Sequence, residues 1–567
     1  MKKNHITTIS RFIIFSVIIT FFALSCKNSL DSSLTIEPRN QLTDASVWAN
    51  STTADIFLND IYGKLFDGNN CWDILDNWTD ISMCGLFWPP SKSSTVYNHE
   101  YNATNGFEMR TGYTDGTTLP FEWGHQYSFI RKCNIFIASV NAKAANFSAD
   151  WKKTRLAETR FLRAFFYNNL YMAYGGVPIL TEALNLNSQG DSIFHPRNTA
   201  DQTYNFITTE LGAIANDLPN KATDYGRITK GAALTLKGYV ELFNHKYTDA
   251  AVDNKAVIDL GVYSLYPDYA NLFLTAGINN NEGILFRLYL PGPALGGRES
   301  LRGPCFNNDG VEVCWGGVNP SQQLIDDYAM ANGKPITDPT SGYNPQNPYY
   351  NREMRFYNSI VQDSSRFGNE TLFTRIGIGS LNELDVNERS DASNTGYMLR
   401  KGISSDNIGA QNWSNATSSQ NNYFFRYAEV LLNYAEAKIE ANSIDQSVYD
   451  AIDKVRQRAG LPTVETSYGT GLTQESMRSI VRRERKVELA FENRRWWDLI
   501  RWRTAEVEIN KPIMAMKITK NANGQWVYSS VPAINGNHKF DASKNYLFPI
   551  WQSIIDQNSK ITQNPGY

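Results

Sequence analysis

Apolar residues recur at helical spacing over several long stretches, and this periodicity constrains the fold more than any other feature of the chain. Residues 151–174 predict a helix that is apolar around much of its circumference and that ends at Gly175-Gly176, a strong termination signal. Residues 229–244 and 248–260 each carry an apolar stripe and are separated by only a few positions. They therefore predict a helix–turn–helix unit.

A second pair of helices is predicted further along the chain. Residues 427–441 form its first helix, and residues 448–459 carry apolar side chains at spacings of three and four, with Gly460 as the stop signal. Residues 474–503, rich in arginine and tryptophan, predict one further long helix.

Long segments without a sustained period separate these helices. Residues 67–119 are rich in Gly, Asn, Pro and Trp, and residues 263–422 are mostly irregular, with strand-like pieces such as 283–290. Helix pairs of roughly tetratricopeptide length separated by such insertions predict a mostly α fold. We expect tetratricopeptide-like helix pairs to form a scaffold, with long irregular loop insertions and a few short strands. The loops should carry the function.

The first 26 residues have the pattern of an export signal. Lys2, Lys3 and Arg11 precede an apolar run over residues 12–24, which is too short for a stable membrane-spanning helix. The run ends in Ala-Leu-Ser before Cys26, the arrangement of a bacterial lipobox, which predicts cleavage before Cys26 and lipidation of its thiol. A plain secretory signal followed by a chance cysteine is the alternative. No later apolar run is long enough to cross a membrane.

Charge and composition limit the class of ligand. The net charge is only −3 and no polybasic block is present, which argues against nucleic acid as a partner. Aromatic residues are abundant, with 13 Trp, 30 Tyr and 29 Phe. Pyranose C–H faces stack on aromatic faces, so this composition favours sugar binding.

Export makes disulfide bonds possible. Cys71 and Cys84, and likewise Cys305 and Cys314, are close enough in sequence to pair, each closing a short loop. Cys133 would then remain as a thiol, buried as a small apolar side chain.

Signatures of common enzymes are missing from the sequence. It contains no G-x-S-x-G, H-E-x-x-H, P-loop, C-x-x-C or G-x-G-x-x-G motif. Two facing carboxyl groups would suffice for a glycosidase, and acidic residues do cluster in the first loop region, although caps and solvated turns account for most such clusters. We therefore expect no catalytic residue, cofactor or metal. The acidic residues are Asp73, Asp76, Asp80, Glu108, Asp115 and Glu122.

The tryptophans divide into packing and binding candidates. Trp123 leads into an apolar helical stretch and is predicted to lie in the core. Trp496, Trp497 and Trp502 alternate with arginines, which predicts a packed helix face with stacked guanidinium groups rather than a nucleic-acid surface.

The candidate ligand-binding residues lie in turn-rich segments. Trp88 and Trp315 have no helical periodicity around them, so stacking on a ligand and packing within the loop are both open. Trp72, Trp78 and Tyr289 are second choices, since each could pack on a neighbouring helix or strand. Asp73 and Asn77 are candidates for contacts with sugar hydroxyls.

Several strings, in this order behind the lipobox, resemble the SusD/RagB family of outer-membrane nutrient-binding lipoproteins. Each string alone is modest, but the set covers nearly the whole mature chain. They are AETRFLRA at 157–164, YGGVP at 174–178, KGAA at 230–233, RYAEVLL at 426–432, YAEA at 434–437, VRQRAGLP at 455–462, RERKVELAFE at 483–492, LFPI at 547–550 and QNPGY at 563–567.

The resemblance implies a glycan-binding lipoprotein at the outer membrane, facing the cell exterior. It implies a tetratricopeptide-like scaffold, a shallow glycan site in the loops, and a SusC-like TonB-dependent barrel transporter that receives the oligo- or polysaccharide. Family members bind glycans without hydrolysing them. The regions that correspond to the family's site are residues 72–101 and 289–315.

The resemblance also divides the chain into parts. Residues 1–25 form the signal peptide and 26–42 a lipid-anchored tether. Residues 43–262 form an N-terminal SusD-like part with helix pairs, and residues 263–567 a C-terminal SusD/RagB-like part packed with it as one unit. A surface enzyme that cleaves glycans with loop carboxylates is the alternative function, and a structural adhesin is a third. The sequence does not name the glycan.

Overall fold

The long helices form the frame of the molecule. The computed structural model describes residues 44–68, 74–85, 99–105, 121–290, 298–308, 311–313, 316–385, 393–405 and 418–567. The long helices are α1 (Ser51–Tyr62), α2 (Trp123–Ala142), α3 (Ala149–Tyr174), α4 (Ala200–Ile214), α5 (Lys230–Phe243), α6 (Tyr247–Asp259), α7 (Tyr427–Glu440), α8 (Gln446–Arg458), α9 (Gln474–Glu488) and α10 (Arg495–Trp502).

Short helical pieces occupy the connections between the long helices. The short α-helices are Asp44–Val47, Leu186–Gln189, Tyr269–Leu272, Arg298–Arg302, Gln322–Asp327, Met354–Ser359, Val464–Tyr468, Ala505–Glu508 and Gln552–Gln557. The 3-10 helices are Leu75–Trp78, Ala144–Asn146, Gly190–Ile193, Ala215–Asp217 and Thr275–Gly277.

The strands are short and pair in twos, all antiparallel. They are β1 (Ser82–Met83), β2 (Gly283–Arg287), β3 (Phe306–Asn308), β4 (Val311–Val313), β5 (Asn319–Pro320), β6 (Ile360–Val361), β7 (Ser365–Phe367), β8 (Glu370–Leu372), β9 (Met398–Leu399), β10 (Asn422–Arg426), β11 (Met514–Lys520) and β12 (Trp526–Pro532). The pairs are β1 with β5, β2 with β10, β3 with β4, β6 with β9, β7 with β8, and β11 with β12.

Consecutive long helices pack against one another as a row. α1 contacts α2, and the contacts continue in chain order through α3, α4, α5, α6 and α7 to α8, while α9 packs on α7. The contact from α6 to α7 joins helices that are more than 160 positions apart in sequence, with the irregular residues inserted between them. The predicted fold of helix pairs with long loop insertions and few short strands is confirmed.

The sequence located both ends of five of the ten long helices, α3, α5, α6, α7 and α8, to within two or three residues. α3 ends at Tyr174, where Gly175 takes a left-handed φ of 73°, as its termination signal predicts. The side chain of Thr229 caps the first turn of α5 by accepting a hydrogen bond from the Ala232 backbone N–H. The predicted pairs α5–α6 and α7–α8 are both present.

The prediction of one helix over residues 474–503 was wrong. α9 ends at Glu488, and Phe491 and Asn493 take left-handed φ values of 66° and 60° before α10 begins. Contacts distant in sequence hold the break: Glu492 Oε1 accepts a hydrogen bond from Lys401 Nζ at 2.6 Å, and the Asn493 side chain accepts one from the Leu75 backbone N–H at 2.8 Å. These contacts override the helical preference of the local sequence.

One large apolar core includes residues from both parts of the chain, from Val47 to Ile561. Trp123 is buried in it, packed edge-on to the Tyr174 ring at 5.3 Å between ring centroids, so its predicted core role is confirmed. Trp496 and Trp497 are buried too, and the Arg482 guanidinium lies 4.5 Å from the Trp502 ring centroid. The packed tryptophan–arginine face is therefore confirmed as well.

One of the two predicted disulfides, Cys71–Cys84, is not formed. Cys84 is a buried thiol, so its pairing with Cys71 is wrong, and Cys133 is a buried thiol as predicted. Burial raises the pKa of the Cys133 thiol well above its ordinary value. Cys305 is in a disulfide. Its pairing with Cys314, which lies outside the described residues, stays a prediction, supported by the β3–β4 register of Phe306 against Val313.

Within the described ranges, the structure has no helix that is both long enough and apolar enough to span a bilayer. Cys26 and the predicted tether over residues 26–42 lie outside those ranges.

Candidate functional site

A large cavity lies where the irregular segments meet the helices. It encloses about 1080 Å³, part of it open to solvent. Its walls combine aromatic rings with amide and charged groups. The lining residues are Phe66, Leu75, Phe121, Phe165, Asn168, Asn169, Met172, Tyr239, Phe273, Arg298, Arg302, Leu399, Lys401, Gly402, Asn421, Asn422, Tyr423, Phe424, Phe425, Phe491, Glu492, Asn493, Arg494 and Trp497.

The pairing of β2 with β10 brings residues from distant parts of the sequence to the cavity. Asn422 on β10 pairs with Arg287 on β2. Gly68 lies so close to this sheet that a Cβ there would come within 2.1 Å of Asn422 Oδ1, so a larger residue would displace the Asn422 side chain. The short helix Arg298–Arg302 closes on the same place, because Arg302 Nη2 donates a hydrogen bond to the Gly68 carbonyl at 2.6 Å.

Four buried polar atoms of the cavity-lining residues have no hydrogen-bond partner elsewhere in the described part of the chain. They are Arg298 Nε, Asn168 Oδ1, Asn421 Oδ1 and Tyr239 Oη. A buried donor or acceptor left unpaired costs roughly 1–3 kcal/mol, so such atoms take water or ligand partners. The set offers both donors and acceptors, which a ligand with many hydroxyl groups can satisfy.

Most charged groups in the cavity wall are already paired. Arg494 Nε lies 3.0 Å from Glu429 Oε1, and Lys401 Nζ donates to Glu492 Oε1 at 2.6 Å. Burial lowers the pKa of Lys401 to about 8 in spite of Glu492. Burial, followed by the charge of Arg302, lowers the pKa of Arg298 to about 10.

Phe66 is the described ring best placed to stack on a ligand. It lines the cavity and is half-buried, and it belongs to none of the hydrophobic clusters formed by the described residues. Phe424, also in the wall, packs instead on the core against Phe165, with ring centroids 5.5 Å apart. The sequence did not single out Phe66, since the residue follows directly on the apolar pattern of α1.

Of the predicted site residues, the structure describes Trp78, Asn77 and Tyr289. Trp78 is buried, edge-on to Trp496 with ring centroids 6.0 Å apart, and so has the packing role that the sequence left open for it. Asn77 is buried and donates a hydrogen bond to the Gly317 carbonyl at 2.8 Å. Neither side chain lines the cavity.

Tyr289 does not line the cavity but contacts Asp67, the residue next to the cavity-lining Phe66. Its hydroxyl donates a hydrogen bond to Asp67 Oδ1 at 2.8 Å, and the Arg287 guanidinium lies 5.3 Å from its ring centroid. Burial, and then the charge of Asp67, raises the pKa of Tyr289 well above its ordinary value. The other predicted site residues, Trp72, Asp73, Trp88 and Trp315, lie outside the described residues.

The acidic residues that could serve a glycosidase are used structurally wherever the structure describes them. Asp80 is buried between Arg495 and Lys486; these cations outweigh burial and hold its pKa well below the usual range. Burial raises the pKa of Asp76 to about 7, and its Oδ2 accepts the Asn493 backbone N–H at 3.2 Å. Both carboxyl groups are inaccessible to a substrate, although their pKa values diverge as in an acid–base pair.

Glu122 also has a structural role, because it caps α2 by accepting the His125 backbone N–H at 2.6 Å. Asp73, Glu108 and Asp115 lie outside the described residues.

The architecture and the sequence both match proteins of known family. A SusD-like protein from Bacteroides fragilis has a TM-score of 0.75 to this chain at 26% identity, covering 94% of this chain and 100% of the other. The model of the SusD family matches residues 284–567, half of the chain. The chain belongs to the SusD/RagB family. A second family model, described as starch-binding associating with outer membrane, matches residues 54–241.

Other SusD/RagB relatives cover most of the chain. A SusD-like protein of Formosa agariphila is 26% identical over 486 residues, which is 82% of this chain and 83% of that protein. A SusD-like carbohydrate-binding protein from Bacteroides fragilis has a TM-score of 0.73 at 24% identity, covering 91% of this chain and 100% of the other. The family membership predicted from the motifs is confirmed.

Proposed function

We propose that this protein binds a glycan in the cavity described above. The carrying observation is that a half-buried ring, Phe66, shares the cavity walls with buried polar atoms that have no partner within the described residues, among them Asn168 Oδ1 and Asn421 Oδ1. A sugar presents C–H faces and hydroxyl groups together. The ring can stack on the faces, while the amide oxygens accept hydrogen bonds from the hydroxyls.

Family membership supports glycan as the ligand class and also supports a location at the outer membrane. A relative of the same fold is described as carbohydrate-binding, and the family model for the N-terminal part is described as associating with the outer membrane. We propose that this protein is lipidated at Cys26, faces the cell exterior, and delivers oligo- or polysaccharide to a SusC-like TonB-dependent barrel transporter.

The first experiment tests the cavity. The purified protein is screened on a glycan array, and Phe66→Ala is compared with Tyr350→Ala, which removes a well-exposed ring far along the sequence (71% exposed). Losing a stacking ring costs ~2 kcal/mol, or roughly a thirtyfold loss of affinity. Phe66→Ala should therefore weaken binding at least tenfold and Tyr350→Ala should not. Equal binding by both variants would exclude this cavity.

The predicted loop tryptophans are tested in the same assay. Trp88→Ala and Trp315→Ala should each weaken glycan binding at least tenfold with little change in thermal stability. Trp123→Ala should lower the free energy of unfolding by about 3–5 kcal/mol, because it removes a buried core ring. If Trp88→Ala and Trp315→Ala both bind normally or both unfold, those two positions are not part of the site.

An assay for cleavage products distinguishes a glycan-binding protein from a glycan-cleaving enzyme. Incubation with each bound polysaccharide should deplete free ligand without releasing new reducing ends. Release of reducing ends by wild type would contradict the proposal of binding without catalysis.

The anchor and the partner are tested in cells. An alkyne fatty acid should label wild type and not Cys26→Ala. Affinity purification from outer membrane in mild detergent should recover a large β-barrel together with the protein. Recovery of the protein alone would argue against the transporter complex.

A further inference from the structure

Arg298 is the charged group of the cavity that the fold pairs least. Its side chain is 8% exposed, and its Nε has no hydrogen-bond partner among the described residues. Its backbone N–H, by contrast, donates to Ser418 Oγ at 3.1 Å, so the residue itself is firmly held. A buried guanidinium normally has all its donors satisfied, because leaving one unpaired costs more for a charged group than for a neutral one.

Other charged side chains among the described residues lie close to Arg298. Arg302 lies one helical turn further on the same short helix, and its charge lowers the pKa of Arg298. Asp67 is already shared by Arg287, 3.4 Å away, and by the Tyr289 hydroxyl. The second nearby carboxylate is that of Glu299, which accepts hydrogen bonds from the side chains of Ser418 and Gln420. Among the described residues, Arg287, Arg298 and Arg302 therefore lie near the carboxylates of Asp67 and Glu299, both of which already accept other hydrogen bonds.

A glycine of the cavity wall packs directly beside the guanidinium. Gly402 lines the cavity with a left-handed φ of 71°, and a Cβ at this position would come within 2.9 Å of Arg298 Nη1. Gly402 and Arg298 both line the cavity, so the guanidinium lies beside a wall position that carries no side chain.

We propose that the cavity selects glycans that carry an anionic group, a carboxylate or a sulfate ester, and that Arg298 binds this group. The inference rests on the proposed glycan-binding function and adds the ligand class. A guanidinium presents two parallel N–H donors that match two oxygens of a carboxylate or sulfate, and such charge-assisted bonds are the strong ones. An anion accepts the unmade hydrogen bond of Arg298 Nε and brings a negative charge to the guanidinium, whereas a neutral hydroxyl can only accept the hydrogen bond.

The decisive comparison uses matched glycans on an array. The probes are oligogalacturonate beside its methyl ester, and sulfated galactan oligosaccharides beside their desulfated forms. The two pairs distinguish a carboxylate from a sulfate as the recognised group. Wild type should bind at least one acidic glycan on the array, one of these probes or another, at least tenfold more tightly than the matching neutral glycan. Arg298→Gln should lose that preference, and Arg366→Gln, which removes an exposed arginine, should keep it. Preferred binding of neutral glycans, or an acidic preference unchanged in Arg298→Gln, would overturn the proposal.

A second measurement does not depend on finding the right sugar. Thermal unfolding of wild type and Arg298→Gln is followed in sodium glucuronate, sodium sulfate and sodium chloride at equal ionic strength. Non-specific salt effects act on both proteins alike, so glucuronate or sulfate should raise the Tm of wild type by several degrees more than that of Arg298→Gln. Equal shifts in the two proteins would overturn the anion site. If no glycan binds but this difference is found, the glycan-binding proposal fails while the anion site stands.

Discussion

Arg426 and Arg298 are both buried arginines, and the fold treats them in opposite ways. Arg426 Nη1 donates to Glu282 Oε1 at 2.8 Å and to Glu488 Oε1 at 2.6 Å, and its Nε donates to Glu492 Oε2 at 2.8 Å. Its Nη2 bonds the Glu488 carbonyl and Glu492 Oε1. Every donor is used. Arg298 has no partner for its Nε within the described residues.

This difference distinguishes an arginine that stabilises the fold, Arg426, from one that is available to bind a ligand, Arg298. Arg426 is the last residue of β10 and directly precedes α7. Its ion pairs with Glu488 and Glu492 tie this junction to the break between α9 and α10. Such a network specifies one arrangement of the elements around it. The Nε of Arg298, by contrast, has no hydrogen-bond partner among the described residues, and Arg298 lines the cavity. A buried donor that the fold leaves unpaired is available for a ligand.

The largest expected effect on stability comes from replacing Arg426, the arginine whose donors are all hydrogen-bonded. Arg426→Met removes the cation shared by the buried Glu282 and Glu488 and the partly buried Glu492, and should lower the free energy of unfolding by about 3–5 kcal/mol. Arg298→Met, the same change in the other region, should lower it by less than ~1 kcal/mol or raise it, since a poorly paired buried cation is replaced by an apolar chain. Denaturant unfolding measures both. A comparable loss of unfolding free energy in Arg426→Met and Arg298→Met would show that the two arginines do not differ in their contribution to the fold.

A second comparison uses two carboxyl groups four residues apart. The pKa of Asp80 is held well below its ordinary value, so its stabilisation is present above about pH 4 and is lost as pH falls. Asp80→Asn should therefore cost about 3–5 kcal/mol at pH 7, because Arg495 and Lys486 lose a buried partner.

Asp76 should behave in the opposite way. Burial raises its pKa to about 7, so the folded state favours the protonated form, and the stabilisation is present near pH 4 and lost as pH rises through 7. Relative to Asp76→Asn, wild type should therefore lose stability between pH 4 and pH 8. A flat difference between the two proteins across this range would show that Asp76 is already ionised in the folded state.

The smallest expected effect is at the surface. Lys255 and Asp259 form an ion pair on α6 with side chains 45% and 57% exposed. Asp259→Ala should change the free energy of unfolding by less than about 1 kcal/mol, and even that change should shrink at high salt. A loss as large as that of Arg426→Met would mean that pairing matters irrespective of burial, and would weaken the contrast drawn between the two arginines.

Local sequence determined the scaffold. The apolar stripes of α5 and α6, the stop at Gly175 and the cap at Thr229 depend on residues within one or two turns, so the sequence predicted these helices and their ends. The burial of Trp123 followed from its place before an apolar helical stretch, and that of Cys133 from the small apolar character of an unpaired thiol. The family motifs lie mostly on these same elements, which is why membership could be predicted as well.

Tertiary contacts decided the rest. The break after Glu488 depends on Lys401 and Leu75, and no local pattern contains them. Phe66 and Arg298 became site candidates only because the pairing of β2 with β10 and the contact of Arg302 with Gly68 bring distant segments around one cavity. Whether a buried charge is paired depends on groups distant in sequence, as Glu282 and Glu488 are from Arg426, and a sequence shows the charge but not its partner.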